Sequence, residues 1–197
     1  MTLYYRLGSN LYVNITNLCQ CDCVFCVRGR SRGVGDAESL WLAHEPTPDE
    51  LKQAFDLRQD LDDVNEIVFC GYGEPLERAE VVVDLARHIR LGTDKTLRLN
   101  TNGLVSLINP GFDKTKLDIF DTISVSLNAA TKEGYMEVTR PVFGEQSFDS
   151  MLGFAKDMSR VARVQFTIVE TLPDEQKEKC RTMAESMGIP LIVRNLI

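Results

Sequence analysis

Short apolar runs spaced along the whole chain, with helical patterns between them, constrain the fold more than any other feature of this sequence. The runs fall at residues 11–15, 66–70, 96–100, 122–127, 164–169 and 191–193. Each has the length of a strand and is bounded by turn-forming residues. The stretches between them carry helix signals. Thr47-Pro48-Asp49-Glu50 combines a threonine cap, proline in the first helical position and glutamate three residues after the cap. Leu51, Ala54, Phe55 and Leu57 supply the buried side of that helix. Residues 81–89 form a second apolar stripe stopped at Gly92, and 174–187 a helix opened by Pro173 and closed by Gly188. Strands alternating with helices call for right-handed parallel crossovers. Six of them predict an α/β fold, an open partial (β/α)6 barrel that is TIM-like but smaller than the closed eight-stranded form. Residues 3–7, ahead of Gly8-Ser9-Asn10, read as a hairpin partner of the first core strand or a lead-in to it. No internal repeat, low-complexity tract or long linker interrupts the pattern, so 1–197 reads as a single domain.

The first core run leads into Asn14-Ile15-Thr16-Asn17-Leu18-Cys19-Gln20-Cys21-Asp22-Cys23-Val24-Phe25-Cys26, which holds four of the chain's six cysteines. Cys19, Cys23 and Cys26 are spaced C-x3-C-x2-C. Three thiolates on one short loop can each reach a different iron of a single four-iron cluster and leave the fourth iron open. An open position separates catalytic metal sites from closed structural ones. Its natural occupant is the amino and carboxylate end of S-adenosylmethionine. The rival is a structural zinc with Cys21 as fourth ligand; under the cluster reading Cys21 points away. The loop follows a strand, which places it at the carboxyl-terminal strand ends where parallel α/β folds carry their chemistry.

The triplet, with Phe25 before its last cysteine, resembles the signature of the radical S-adenosylmethionine (radical SAM) superfamily. Further segments are similar to one branch, the TatD-associated radical SAM proteins: Tyr5-Arg6-Leu7-Gly8, Val68-Phe69-Cys70-Gly71-Tyr72-Gly73-Glu74-Pro75, Arg98-Leu99-Asn100-Thr101-Asn102-Gly103, Ser124-Val125-Ser126-Leu127-Asn128, Arg140-Pro141 and Phe143-Gly144-Glu145. The resemblance implies a radical SAM core with a [4Fe-4S] cluster on Cys19, Cys23 and Cys26. It implies a cofactor site at Phe25, Gly71, Tyr72, Gly73, Glu74, Asn100, Asn102, Ser126, Asn128 and Arg140. Carbonyls of the 71–75 turn and Glu74 are suited to the cofactor ammonium, though Tyr72 stands where the family has glycine. Ser126 and Asn128 resemble ligands of its ribose or carboxylate, and Phe25 would shape the adenine pocket. Asn100 and Asn102 share one strand face, and each could equally cap the following turn. Arg140 suits an anionic substrate or the cofactor carboxylate, with a surface ion pair as the alternative. Tyr135, Met136 and Val138 read as helix packing, Cys70 as core, Cys180 and His88 as incidental. Arg28, Arg30, Arg32 and His44 read as solvated charge, and residues 27–46 as an irregular crossing segment or lid.

The expected activity is oxygen-sensitive and cytoplasmic: reductive cleavage of S-adenosylmethionine to a 5′-deoxyadenosyl radical that abstracts hydrogen from a substrate. Clustered cysteines point to metal or catalysis in a reducing compartment rather than a disulfide framework. No apolar run approaches the ~20 residues that span a membrane, and the amino terminus lacks a secretory pattern. A formal net charge of -7 argues against a general nucleic-acid binder. The expected partners are a flavodoxin- or ferredoxin-type electron donor, a TatD-family metallohydrolase and a small-molecule substrate. The alternatives are an enzyme like 7-carboxy-7-deazaguanine synthase or a glycyl-radical activase, and a non-catalytic zinc-stabilised partner of the hydrolase.

Overall fold

In a computed structural model of the chain, residues 1–29 and 33–195 are described. Seven strands form one sheet in sequential order. β1 (Tyr4–Leu7) and β2 (Asn10–Val13) make the antiparallel hairpin. From β2 onward every pairing is parallel, through β3 (Glu66–Phe69), β4 (Thr96–Thr101), β5 (Thr122–Ser126), β6 (Arg163–Val169) and β7 (Leu191–Arg194). The six predicted core strands are therefore the six parallel ones, and the hairpin adds a seventh at the edge. The sheet stays open as a partial barrel.

The crossovers carry α1 (Pro48–Asp56), α2 (Ala79–Gly92), the short α3 (Val105–Ile108), α4 (Lys132–Thr139), α5 (Gln146–Met158) and α6 (Asp174–Ser186). α1 starts where its capping box requires: the Thr47 hydroxyl accepts from the Glu50 amide and the Glu50 carboxylate accepts from the Thr47 amide. α6 ends at Gly188 in the left-handed region (φ 66°), as the sequence predicts. Cys180 is fully buried on the inner side of α6, so it is a core residue rather than an incidental one. His88 pairs with Asp56 at 2.7 Å, tying α2 to α1.

Alternation along the strands divides the packing. One face, with Phe69, Leu99, Ile123 and Phe166, joins the helices in the main core. The concave face holds a smaller cluster of Tyr5, Tyr12, Val34, Leu40, Val68 and Tyr72. Toward the later strands the same face turns polar, with Asn100, Ser124, Gln165 and Thr167 in registered positions. No described helix is long and apolar enough to cross a membrane.

Candidate active site

The site forms where β2, β3, β4 and β5 end. The chain leaves β2 through Asn14 to Leu18, and the turn after β3 docks directly on it. Gly73 N donates to the Thr16 carbonyl at 2.9 Å and Glu74 N to the Leu18 carbonyl at 2.7 Å. This approach explains the glycines. A Cβ on Gly73 would lie 2.3 Å from the Thr16 oxygen, and one on Gly71 2.0 Å from the Asn14 Oδ1. The sequence reading assigned these glycines to ligand contact; in the fold they let two loops touch.

On its other side the cysteine loop pairs with the end of α4. Asp22 N donates to the Thr139 carbonyl and Val24 N to the Val138 carbonyl, both at 3.0 Å, and Val142 N donates to the Gln20 carbonyl at 2.9 Å. Arg140 makes this pairing by its backbone: as the α4 cap it sits left-handed at φ 46°, ψ 57°, although the following proline favours extended conformations. Its side chain is exposed and outside the cavities described below, which corrects the reading of Arg140 as an anion contact and replaces it with a turn-forming role.

Three residues of lower sequence prominence hold the loop. Arg28 donates to Cys26 Sγ (3.4 Å), the Asn17 carbonyl (3.3 Å) and the Cys21 carbonyl (3.1 Å), so it is a staple and not solvated charge. Asn14 donates to the Leu40 carbonyl at 2.7 Å, and Asn17 exchanges hydrogen bonds with the Leu42 backbone. The described part of the crossing segment is thus tied down, with Leu40 and Leu42 buried, rather than hung as a free lid. Arg30 and Arg32 lie outside the described residues. His44 is exposed and pairs with Glu50.

Two cavities meet at the loop. The first, about 170 Å³, is lined by Cys19, Cys21, Cys23, Glu74, Asn102 and Asn128 among others; the second, about 310 Å³, opens along the concave face. Cys23, Phe25, Cys70, Asn100 and Ser126 line both. Gly71 lines the second cavity and Gly73 the first, while Tyr72 turns its ring into the inner apolar cluster, edge-on to Trp41 at 5.1 Å. Phe25 forms a shared wall. Asn100 keeps its side chain in the cavities, so it does not cap a turn. Asn102 does both: its Oδ1 accepts from Leu104 N at 2.9 Å while its amide faces Cys21 Sγ at 3.8 Å. Ser126 and Asn128 follow each other along the rim, and Asn128 is held left-handed (φ 59°), a conformation asparagine tolerates better than most residues.

Glu74 is 4 % exposed and already committed. Its Oε1 accepts from Thr101 Oγ1 (2.7 Å) and Leu76 N (3.0 Å), its Oε2 from Asn102 N (2.7 Å). It therefore locks the end of β4 to the glycine turn, and at most a remaining lone pair faces a ligand. Burial, then the Cys19 charge, push its carboxyl up to about 8 against those donors.

Cys21 does not point away. It is 5 % exposed and its thiol sits between Cys19 and Cys23. The Cys21 hydrogen bond, ahead of the nearby Arg28 charge, lowers the Cys19 thiol to about 7 against burial, while the same contacts raise Cys21. Cys70 is half-buried beside Asn100 at the cavity wall, its thiol raised by burial, and so belongs to the site rather than only to the core. Tyr135, read as helix packing, packs on Phe148 at 5.5 Å and also lines the first cavity, with Thr101 and Thr139.

A sequence profile of the Radical SAM superfamily matches residues 13–187. The chain belongs to the radical SAM superfamily, an enzyme family characterised by a [4Fe-4S] cluster and S-adenosylmethionine. Among curated proteins it is 25 % identical over 183 residues to a probable GTP 3′,8-cyclase of Saccharolobus islandicus, covering 91 % of this chain and 54 % of that protein. It is 27 % identical over 137 residues to the GTP 3′,8-cyclase of Streptomyces coelicolor, covering 61 % of this chain and 38 % of that protein. The chain thus spans about half or less of the curated relatives it matches. Its fold is similar to the solved structure of native anSMEcpe with bound AdoMet, with a TM-score of 0.63 at 17 % identity over 94 % of this chain and 51 % of that one. A second structure, native anSMEcpe with bound AdoMet and the Cp18Cys peptide, gives a TM-score of 0.59 at 18 % identity, again over 94 % of this chain and 50 % of that one.

Proposed function

We propose that the chain holds a [4Fe-4S] cluster on Cys19, Cys23 and Cys26 and S-adenosylmethionine in the first cavity, and that it performs radical chemistry on a small molecule. The observation that carries this is the position of the C-x3-C-x2-C loop, pinned at the strand ends beside a cavity walled by Asn100, Asn102, Ser126 and Asn128. The donor set fits the group. Cys19, Cys23 and Cys26 are three free, half-buried thiols on one loop, soft donors of the kind an iron–sulfur cluster takes. The chemistry supplied by the bound pair is one-electron cleavage of the sulfonium, giving methionine and an adenosyl radical able to take hydrogen.

The chain's own residues bind, orient and exclude water. Glu74 fixes the turn against which the cofactor's amino acid end would lie. Ser126 and Asn128 offer polar contacts at the rim, and Phe25 and Tyr135 supply apolar walls. Asn102 and Cys21 cover the loop from within. A flavodoxin- or ferredoxin-type donor would deliver the electron. The segments shared with TatD-associated radical SAM proteins make a TatD-family hydrolase the partner to test. The two relatives are named GTP 3′,8-cyclases, so nucleotides are the first substrates to try.

Anaerobic reconstitution is expected to give brown protein with about four irons and matching acid-labile sulfide per chain. With dithionite and S-adenosylmethionine it should release 5′-deoxyadenosine. Cys19→Ala, Cys23→Ala and Cys26→Ala should each lose iron and product, while Cys21→Ala keeps its iron. A colourless protein carrying a single zinc would overturn the proposal.

A further inference from the structure

The second cavity carries a charge with no carboxylate beside it among the described residues that line it. Its concave floor is aromatic on the hairpin side, where Tyr5 and Tyr12 stack at 5.1 Å, and polar on the other, where Asn100, Ser126 and Thr167 line it. Arg194, near the end of β7, enters the polar wall half-buried. Among the described residues lining this cavity there is no aspartate or glutamate, and Arg194 is the one arginine or lysine. Among the described residues its guanidinium donates to Asn100 Oδ1 at 3.3 Å, a neutral amide. The carboxylate on that face, Glu66, is taken by Arg98 at 2.8 Å. Arg98 adds a like charge near Arg194, and burial first and that charge second disfavour the guanidinium's protonated form against the weaker pull of Cys70, Tyr12 and Glu66. Arginine does not respond by deprotonating. A half-buried cation with no carboxylate paired directly to it is costly, and a planar guanidinium pairs best with a carboxylate or phosphate.

We propose that the second cavity binds the substrate of this enzyme by an anionic group, a carboxylate or a phosphate, seated on Arg194. This rests on the reading above that the adjoining first cavity takes S-adenosylmethionine. The cavities share Cys23, Phe25, Cys70, Asn100 and Ser126, so an anion on Arg194 directs the rest of a small molecule back toward the cysteine loop. Arg194 is a binding residue in this scheme and takes no proton or electron.

The test is titration calorimetry of the reconstituted protein, saturated with S-adenosylmethionine, against inorganic phosphate and separately against benzoate. One of the two should bind saturably, and the tighter identifies the anionic head. Arg194→Gln should weaken that binding about ten-fold or more, Arg194→Lys should restore part of it, and S-adenosylmethionine affinity should be the same in all three proteins. Absence of saturable binding by either anion, or binding indifferent to Arg194→Gln, overturns the inference. A parallel fall in S-adenosylmethionine affinity also overturns it, by placing Arg194 on the cofactor carboxylate. Arg194-dependent anion binding by a protein that takes up no iron would uphold the anion site and sink the cofactor reading instead.

Discussion

Gly73 and Glu74 show how little room the site leaves at single positions. A methyl group on Gly73 would meet two backbone oxygens, those of Thr16 and Leu18, at 2.3 and 2.6 Å. Backbone cannot swing aside as a side chain does, so the loop carrying Cys19 must shift. Gly73→Ala is expected to lower stability by about 1–3 kcal/mol and to reduce iron uptake, read by urea unfolding and iron analysis. Gly29→Ala, where nothing lies within 4 Å, should leave stability within about 0.5 kcal/mol. Glu74 gives a pH signature. Its folded pKa of about 8 lies above the ordinary carboxylate value near 4.5. Between those values the folded state binds the extra proton, so this group's contribution to stability falls as pH rises from about 4.5 to about 8 and then levels. In the cluster-free protein, urea midpoints across that range should show a decline in the parent that is absent in Glu74→Gln. A decline of equal size in both would remove Glu74 as its source.

At the scale of elements, the helices obey local rules and the loops do not. The capping box of α1 satisfies two amides at once, and Thr47→Ala is expected to cost about 1 kcal/mol in urea unfolding. Gly153 lies inside α5 with open space where a Cβ would go. Gly153→Ala should therefore stabilise the protein by about 0.5–1 kcal/mol, since alanine loses less backbone freedom in a helix. The turn at Arg140-Pro141 has the opposite character. Its left-handed arginine is strained by about 1–3 kcal/mol and persists because residues 138–142 pair with the cysteine loop on the far side. Strand and helix placement was legible because hydrophobic period and caps are local signals. The partners of Asn14, Asn17 and Arg28 were not, because they are mostly backbone carbonyls, and nothing in a sequence marks which carbonyl is left open.

Across the whole molecule one main core runs from Tyr4 to Ile189, so damage in one place is felt everywhere. Phe120 closes the outer layer edge-on to Phe69 at 5.0 Å, both of them essentially buried. Phe120→Ala should cost about 3–5 kcal/mol, a large part of a typical domain's stability of about 5–15 kcal/mol. A midpoint shift in guanidinium with unchanged slope would report it, whereas a second transition would show that the core is not one cooperative unit. The sequence alone determined the order of strands and helices and the spacing of three thiols, because both depend on residues close together in the chain. Tertiary structure decided which side of the loop Cys21 faces, that Glu74 is an internal lock, that Arg140 acts through its backbone, and that Arg194 reaches the cavity beside Asn100. Those outcomes depend on which strand ends come to lie side by side, and contacts between residues as far apart as Asn100 and Arg194 exist only after the strands have assembled into the curved sheet.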